Sequence, residues 1–469
     1  MKVRLFGAAK EVTGSCYSIE TDKSKVLVDC GFFQGSKDNE RKNYEDFKFI
    51  PKEYNALILT HAHLDHSGRV PKLIKYGFKG KIFATPATRE LAFIIMMDTV
   101  KIAMQDTANE NERRIKQGLP PRKPIYSETD VKNTMKLFVD VEYKEVVKIT
   151  EDISVRFVDA GHILGAASID VTIREGKKSS VLVFSGDIGQ AKSILVREID
   201  PLEKADYVFM ESTYGDRLHP PIEERKKEFL RIIKETYNRG GKLLIPSFAV
   251  ERTQELLYYL SDFFQEGLIP KMKVYLDSPM AMKATEVFSK YKTYYNDQVQ
   301  YEIIERKKTK GRQELFDFPE LVLTKTVEES KKINNVEGPC IIIAGNGMCT
   351  AGRIKHHIRN NISNPKTTLL FVGYQATGTL GYWIKNKEKK IRLLGQEVLV
   401  KAHIESIDGF SAHADYNELI SWLNNFKEKP KKVFICHGEE EQALAFKKRI
   451  EKLGYSSYIP ELYEEIVLE

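Results

Sequence analysis

The segment ALILTHAHLDHSGRV, residues 56–70, constrains the fold more than any other part of the chain. A short β-prone run ends at Thr60, and His61, His63, Asp65 and His66 follow at once. In an extended exit from a strand, residues two apart point the same way, so His61 and His63 share one side. Asp65 and His66 fall at the mouth of the next helix and face a second position nearby. Alternating imidazole and carboxylate suits zinc, which takes nitrogen and carboxylate oxygen in tetrahedral sites. The chain has only 10 histidines among 469 residues, so three here are not background. A fold that uses this segment must bring further ligands to the same place from distant strands.

Two such ligands are His162 and Asp187. His162, in DAGHILGAAS, follows a strand and is flanked by glycines that let backbone pack closely. Asp187, in VFSGDIG, closes an apolar run in a Gly-Asp turn. Alone, His162 reads equally well as a structural histidine and Asp187 more readily as a turn former; the cluster gives them a common purpose. Around them, KVRLFG, SCYSIE, KVLVDCG, SVRFVDAGH, AASIDVTI, SSVLVFSGD and DYVFMES all have strand character. From about residue 215 the rhythm changes. Helical segments at 220–238 and 250–265 alternate with KLLIPSF, KVYLDS, CIIIAGNG and TLLFVGY, which argues for a parallel sheet with helices on its faces. Residues 88–118 read as one long helix and 295–315 as a polar surface excursion. The end of the chain returns to strands that finish in histidines, EVLVKAHIESI and KKVFICHGEE.

Size and composition close off several classes. A chain of 469 residues exceeds what one hydrophobic core organises, so two domains are expected. The run LAFIIMM (91–97) is too short to cross a bilayer, and no membrane association is expected. The N-terminus lacks the apolar stretch of an export signal, which points to the cytoplasm. Cys16, Cys30, Cys340, Cys349 and Cys436 form no C-x-x-C pair and read as free, buried thiols rather than metal ligands. A net charge of +7 is compatible with a polyanionic partner without demanding one.

The order of motifs resembles that of the metallo-β-lactamase superfamily: Asp29 in LVDCG, then HAHLDH, GHILG and SGD. ESTYGD (211–216), FSAHAD (410–415) and CHGEE (436–440) are similar to the further motifs of the β-CASP nucleases. That family includes ribonuclease J and the endonuclease subunit of the eukaryotic pre-mRNA cleavage and polyadenylation machinery. PSFAVERTQELLY, LDSPMAMKATEVF and GNGMCTAGRI are similar to the family's inserted domain. The chain looks closer to the polyadenylation-factor-like bacterial and archaeal members than to ribonuclease J, with no room for the N-terminal RNA-binding extension of many archaeal relatives.

The resemblance implies an α/β protein: an αββα metallo-β-lactamase sandwich from residues 1–214 and 393–469, interrupted by a mostly parallel α/β β-CASP domain at 215–392. It implies two zinc ions, with manganese as a substitute. One would be held by His61, His63, His162 and Asp187. The other would be held by Asp65, His66, His437 and again Asp187 as the bridge. Asp29 would orient ligands and water. Glu211 would pair with His413 beside the leaving group. Ser411, Arg353 and Arg252 are the expected phosphate contacts. The basic runs ERKKTKGR (305–312) and PPRK (120–123) read first as solvated faces.

The implied activity is hydrolysis of phosphodiester bonds in single-stranded RNA. Two close divalent ions lower the pKa of a water and neutralise charge building on the phosphoryl group. The departing 3′-oxygen needs a proton, which His413 can give if Glu211 keeps it charged. A DNA-acting nuclease, a thioester or lactone hydrolase and a silent RNA-binding scaffold are the alternatives. The insert favours a polymer, since it leaves a long groove between domains. In the family, histidine at position 437 goes with RNA, whereas DNA-repair members carry an apolar residue there. No ligand of the set is missing. Relatives of this kind often form homodimers, so a second copy is an expected partner.

Overall fold

Alternation along short strands sets the packing of the first unit, residues 1–218 and 413–469 of this computed structural model. The structure describes every residue except 311–314, 374, 376, 377 and 387. In Lys25–Val28, Val26 and Val28 join a core cluster with Ile19 and Ile58. Leu27, between them, is buried on the opposite face. Strands apolar on both faces need cover on both. Among the described residues, two seven-stranded sheets supply it on the inner side.

The first sheet runs Glu465–Val467, Lys2–Leu5, Tyr17–Glu20, Lys25–Val28, Ala56–Ile58, Lys81–Ala84, Phe138–Asp140. The second runs Ser457–Tyr458, Lys432–Ile435, Tyr207–Met210, Lys178–Phe184, Ala167–Glu175, Ile153–Asp159, Val146–Lys148. Between them Phe184 stacks on Phe209 at 4.8 Å and Phe209 on Phe434 at 4.6 Å. The outer face of the second sheet is covered by helices Tyr416–Leu423 and Glu440–Lys452, whose Leu419, Trp422, Phe446 and Ile450 cluster with Val208 and Val433. Helices Val70–Lys75 and Pro86–Lys116 complete the αββα sandwich, burying Leu73, Leu91 and Ala92.

The second unit, residues 219–412, is built on a six-stranded sheet in which every pairing is parallel. Its order is Leu321–Leu323, Lys273–Leu276, Cys340–Ala344, Lys242–Pro246, Thr368–Phe371, His403–Ser406. Helix Ile222–Asn238 buries Phe229, Ile232, Ile233 and Thr236, an i, i+3, i+4, i+7 stripe. Parallel strands need crossovers, so the helix–strand alternation of the sequence becomes this layered arrangement.

Three expectations change. The stretch 295–315 contains a helix, Asp297–Lys310, rather than an irregular excursion. Tyr258 Oη donates to Glu302 at 2.7 Å and Arg306 to Asp262 at 2.6 Å, fastening it to helix Arg252–Gln265. Gly311 and Arg312 of the basic run lie outside the described residues. His403 begins a strand rather than ending one, and that strand pairs with Thr368–Phe371. The chain therefore stays in the second unit through Ala412, and the return comes at His413, not at 393. All five cysteines are buried and free. No described helix is long and apolar enough to cross a membrane.

Candidate metal centre

Strand ends of the first unit deliver the site. Asp29 follows Lys25–Val28, and Thr60 to His66 follow Ala56–Ile58. His162 follows Ile153–Asp159, Asp187 follows Lys178–Phe184, Glu211 follows Tyr207–Met210 and His437 follows Lys432–Ile435. The backbone bends sharply to do this: Asp29 and His437 both have positive φ, 58° and 41°. A non-glycine residue there stores strain that the surroundings must hold. Close approach also demands glycine. A Cβ on Gly31 would sit 1.5 Å from the Asp65 carbonyl oxygen, and one on Gly189 would sit 1.8 Å from that of Gly161.

Among the described residues three groups of possible ligand atoms form, the third being Asp187, Glu211 and His413. His61, His63, His162 and Asp187 offer one atom each within 4.8 Å of one another, as do Asp65, His66 and His437. In the first group, His63 Nδ1 lies 3.2 Å from His61 Nε2 and 3.1 Å from His162 Nε2. Asp187 Oδ2 lies 3.4 Å from His61 Nε2 and 3.5 Å from His162 Nε2. Ligands about 2.0–2.1 Å from a tetrahedral zinc are about 3.3–3.4 Å apart, so these edges fit. In the second group, His66 Nε2 is 3.2 Å from both His437 Nε2 and Asp187 Oδ1, and His437 Nε2 is 3.5 Å from Asp65 Oδ2. The two oxygens of Asp187 thus face different groups. Its Oδ1 is buried and makes no hydrogen bond. Such an orphan is costly unless a cation meets it.

A layer behind the ligands fixes their tautomers. His66 Nδ1 lies 2.7 Å from Asp29 Oδ2 and donates to it. The Thr60 hydroxyl also donates to Asp29 Oδ2, at 2.8 Å, and accepts from His61 Nδ1 at 3.1 Å. His437 Nδ1 is 3.3 Å from Thr213 Oγ1. These contacts leave Nε2 of His61, His66 and His437 turned to the ligand space.

Electrostatics divide the imidazoles. Burial pushes His61 down to about 3 and His63 down to about 4. Burial and the neighbouring His413 drive His162 well below the ordinary range. All three are neutral, the form that binds metal. Burial also opposes charge on His66, but Asp187 and Asp29 outweigh it and hold that group well above its usual value. Asp187 is held well below the carboxylate range by His437, His66 and His61 against the opposing effect of burial.

Glu211 and His413 stand beside the ligands. Glu211 Oε1 accepts from the Ile188 amide at 2.5 Å, and both its oxygens lie 3.2 Å from His413 Nδ1. His413 Nε2 is 4.0 Å from Asp187 Oδ2. An isolated bridge between Gly189 and His413 holds the loop. Burial lowers the His413 pKa, but Glu211 and then Asp187 and Asp65 raise it to about 9.

The metallo-β-lactamase superfamily model matches residues 9–220, the Beta-Casp domain model residues 253–384, and the Zn-dependent metallo-hydrolase RNA specificity domain model residues 397–460. Ribonuclease TTHA0252 of Thermus thermophilus is 38% identical over 97% of this chain and 97% of its own length. The chain belongs to the β-CASP family of the metallo-β-lactamase superfamily. Transcription termination factor FttA of Methanosarcina mazei is 33% identical over 94% of this chain and 67% of its own length. FttA of Methanocaldococcus jannaschii is 31% identical over 98% and 70%. A crystal structure of a protein of unknown function from Enterococcus faecalis V583 shares the fold, with a TM-score of 0.55 over 100% of this chain and 99% of that one at 13% identity.

Not every expected contact of this β-CASP chain joins the centre. Arg353, in the second unit, donates to Asp277 Oδ1 at 2.6 Å and to the Thr324 carbonyl at 2.8 Å. Arg252 is buried, pairs with Glu255 and stands over the Phe410 ring. Both guanidinium groups are engaged in holding the second unit together. Ser411 is half-buried in that unit. Sequence reasoning passed over Thr60 and Thr213, whose hydroxyls meet Nδ1 of His61 and of His437. The signal for Thr60 was its place directly between an apolar strand and His61.

Proposed function

We propose that the chain is a zinc-dependent ribonuclease that hydrolyses phosphodiester bonds of single-stranded RNA at a two-metal centre. The observation that carries this reading is the convergence of seven histidine and aspartate side chains at tetrahedral spacing, with Asp187 turning one oxygen to each group. His61, His63, His162 and Asp187 would hold one ion; Asp65, His66, His437 and Asp187 would hold the other. Manganese could replace zinc in such a donor set. Bound there, the ions supply Lewis acidity and an activated water.

The chain's own residues then have separate tasks. Asp29 and Thr60 orient His66 and His61. His413 carries a proton on Nε2, kept there by Glu211 at Nδ1, and gives it to the departing 3′-oxygen. With its pKa near 9, the acid form persists through neutral pH and is lost only on the alkaline side. His437 at its position supports RNA over DNA, as does the ribonuclease relative from Thermus thermophilus. The silent-scaffold reading requires a broken ligand set, and all seven ligand positions are intact. Five buried free thiols and an RNA substrate accord with a cytoplasmic location.

One gel tests this. The purified chain is incubated with end-labelled single-stranded RNA carrying either a 5′-monophosphate or a 5′-triphosphate, beside a DNA control and a chelator lane. Cleavage of RNA that disappears with chelator and returns with zinc is expected. Intact RNA in every lane, or DNA cut equally well, sinks the proposal.

A further inference from the structure

The sheet of the second unit has a feature that its packing does not require. The chain leaves Lys242–Pro246 toward Lys273–Leu276 on one side of the sheet, and leaves the adjacent Cys340–Ala344 toward Thr368–Phe371 on the other. Crossovers of one hand that run in opposite directions lie on opposite faces, so a crevice opens at the carboxyl ends of these two strands. Phe248, two residues beyond Lys242–Pro246, stands at that point and is 40% exposed.

The neighbouring strand ends make room for this ring. A Cβ on Gly347, beyond Cys340–Ala344, would stand 2.8 Å from Cδ2 and Cε2 of Phe248, too close for any side chain. Gly373, beyond Thr368–Phe371, lies on the same side, where a Cβ would reach Cε2 at 3.4 Å. Gln375 Nε2 donates to both glycine carbonyls, to Gly347 at 2.9 Å and to Gly373 at 3.3 Å, and so clasps the two loops. The Phe248 backbone is pinned as well: its carbonyl accepts from Thr253 Oγ1 at 2.7 Å and from Ser247 Oγ at 3.2 Å. One side of the phenyl ring therefore rests on a glycine floor while the remainder meets water. An apolar ring held rigidly in the open forgoes the gain of burial. At a switch point, that arrangement suits a flat apolar ligand.

We propose that Phe248 is a stacking platform for one unpaired nucleobase of the RNA. The proposal rests on the ribonuclease reading for the identity of its ligand. Every base has a π-face, so an aromatic ring fixed in advance binds a single strand with little sequence preference and costs little ordering. Duplex RNA keeps its bases stacked inside and offers this ring nothing.

The test uses the full chain as purified and a phosphorothioate-linked oligoribonucleotide that resists hydrolysis, with 2-aminopurine placed at successive positions. Wild type is expected to quench one position on binding. Phe248→Leu, which keeps apolar bulk but not the π-face, is expected to lose that quench and bind about 5- to 30-fold more weakly. Phe248→Trp is expected to restore both. Equal quenching and affinity in wild type and Phe248→Leu overturns the platform, even if ordinary RNA is still cut. A wild type that binds and quenches but never cuts ordinary RNA overturns the ribonuclease reading and leaves the platform standing.

Discussion

Two clusters of aspartate and histidine sit at strand ends in this chain, one in each unit, and they are built on opposite plans. Around Asp187 the candidate ligand atoms of imidazoles and carboxylates converge on one another, and Asp187 Oδ1 makes no hydrogen bond. Around Asp277 both carboxylate oxygens are met. Its Oδ1 takes Thr324 and Arg353, and its Oδ2 takes Ser330 and His357, all at 2.6 Å. The residue types overlap; the protons decide the role. Acceptors converging without donors make a cavity for a cation, whereas acceptors matched to donors make a staple between strand and helix.

Breaking the first cluster should give the largest effect. Asp187→Ala or His63→Ala is expected to lose metal, by elemental analysis, and to cut cleavage of single-stranded RNA below about one-thousandth. Full activity in a zinc-depleted double variant would end the two-metal reading. The second cluster should fail differently. Asp277→Ala strands the Arg353 charge in a partly buried site and should cost about 3–5 kcal/mol in urea unfolding, with metal content unchanged. Burial alone would raise the Asp277 carboxyl, but hydrogen bonds from His357, Ser330, Thr324 and Arg353 hold it well below the ordinary range. A carboxyl depressed on folding contributes stability above its unfolded pKa, near 4, and loses it as the pH falls further. Stability should therefore drop on acidification below about pH 5 in wild type, and less so in Asp277→Asn. Parallel curves for the two would refute that assignment.

Between these lies His413, which neighbours the first cluster without serving as one of its proposed ligands. His413→Ala should keep its metal and slow cleavage by about 10²–10³-fold, most strongly for a poor leaving group. Glu211→Gln should bring the alkaline limb of the rate profile down from about pH 9, because its charge is what holds the imidazolium. A His413→Ala protein that comes out metal-free would move this residue into the ligand set.

The difference between the clusters also explains what could be read in advance. His61, His63, Asp65 and His66 are dense in sequence, and ligands of that density announce themselves. His162, Asp187 and His437 are single residues, legible because each ends an apolar strand. Asp277 also ends one, in KVYLDS, yet its partners Thr324, Ser330, Arg353 and His357 come from three separate stretches. Nothing in GNGMCTAGR says whether Arg353 serves a phosphate or a carboxylate, because a guanidinium suits both. The layered fold was legible from strand–helix rhythm; the point of return to the first unit was not. EVLVKAHIESI reads as a strand in either sheet, and only the pairing of His403–Ser406 with Thr368–Phe371 assigns it.

The smallest predicted effect falls on a residue that carries no charge. The Thr60 hydroxyl sits between the two proposed metals' ligands, accepting from His61 Nδ1 and donating to Asp29, which in turn accepts from His66 Nδ1. Thr60→Val keeps the shape and removes the relay, so His61 can rotate or protonate on the wrong nitrogen. Metal affinity, measured by competition with a coloured chelator, should weaken by about 10- to 100-fold. Thr60→Ser should stay near wild type. Asp29 retains the Thr60 amide at 2.8 Å, so the fold should survive the change. If Thr60→Val binds zinc as tightly as Thr60→Ser, the ligand spacing comes from the strand ends alone, and the proton-ordering that separates the Asp187 cluster from the Asp277 cluster plays no part in metal binding.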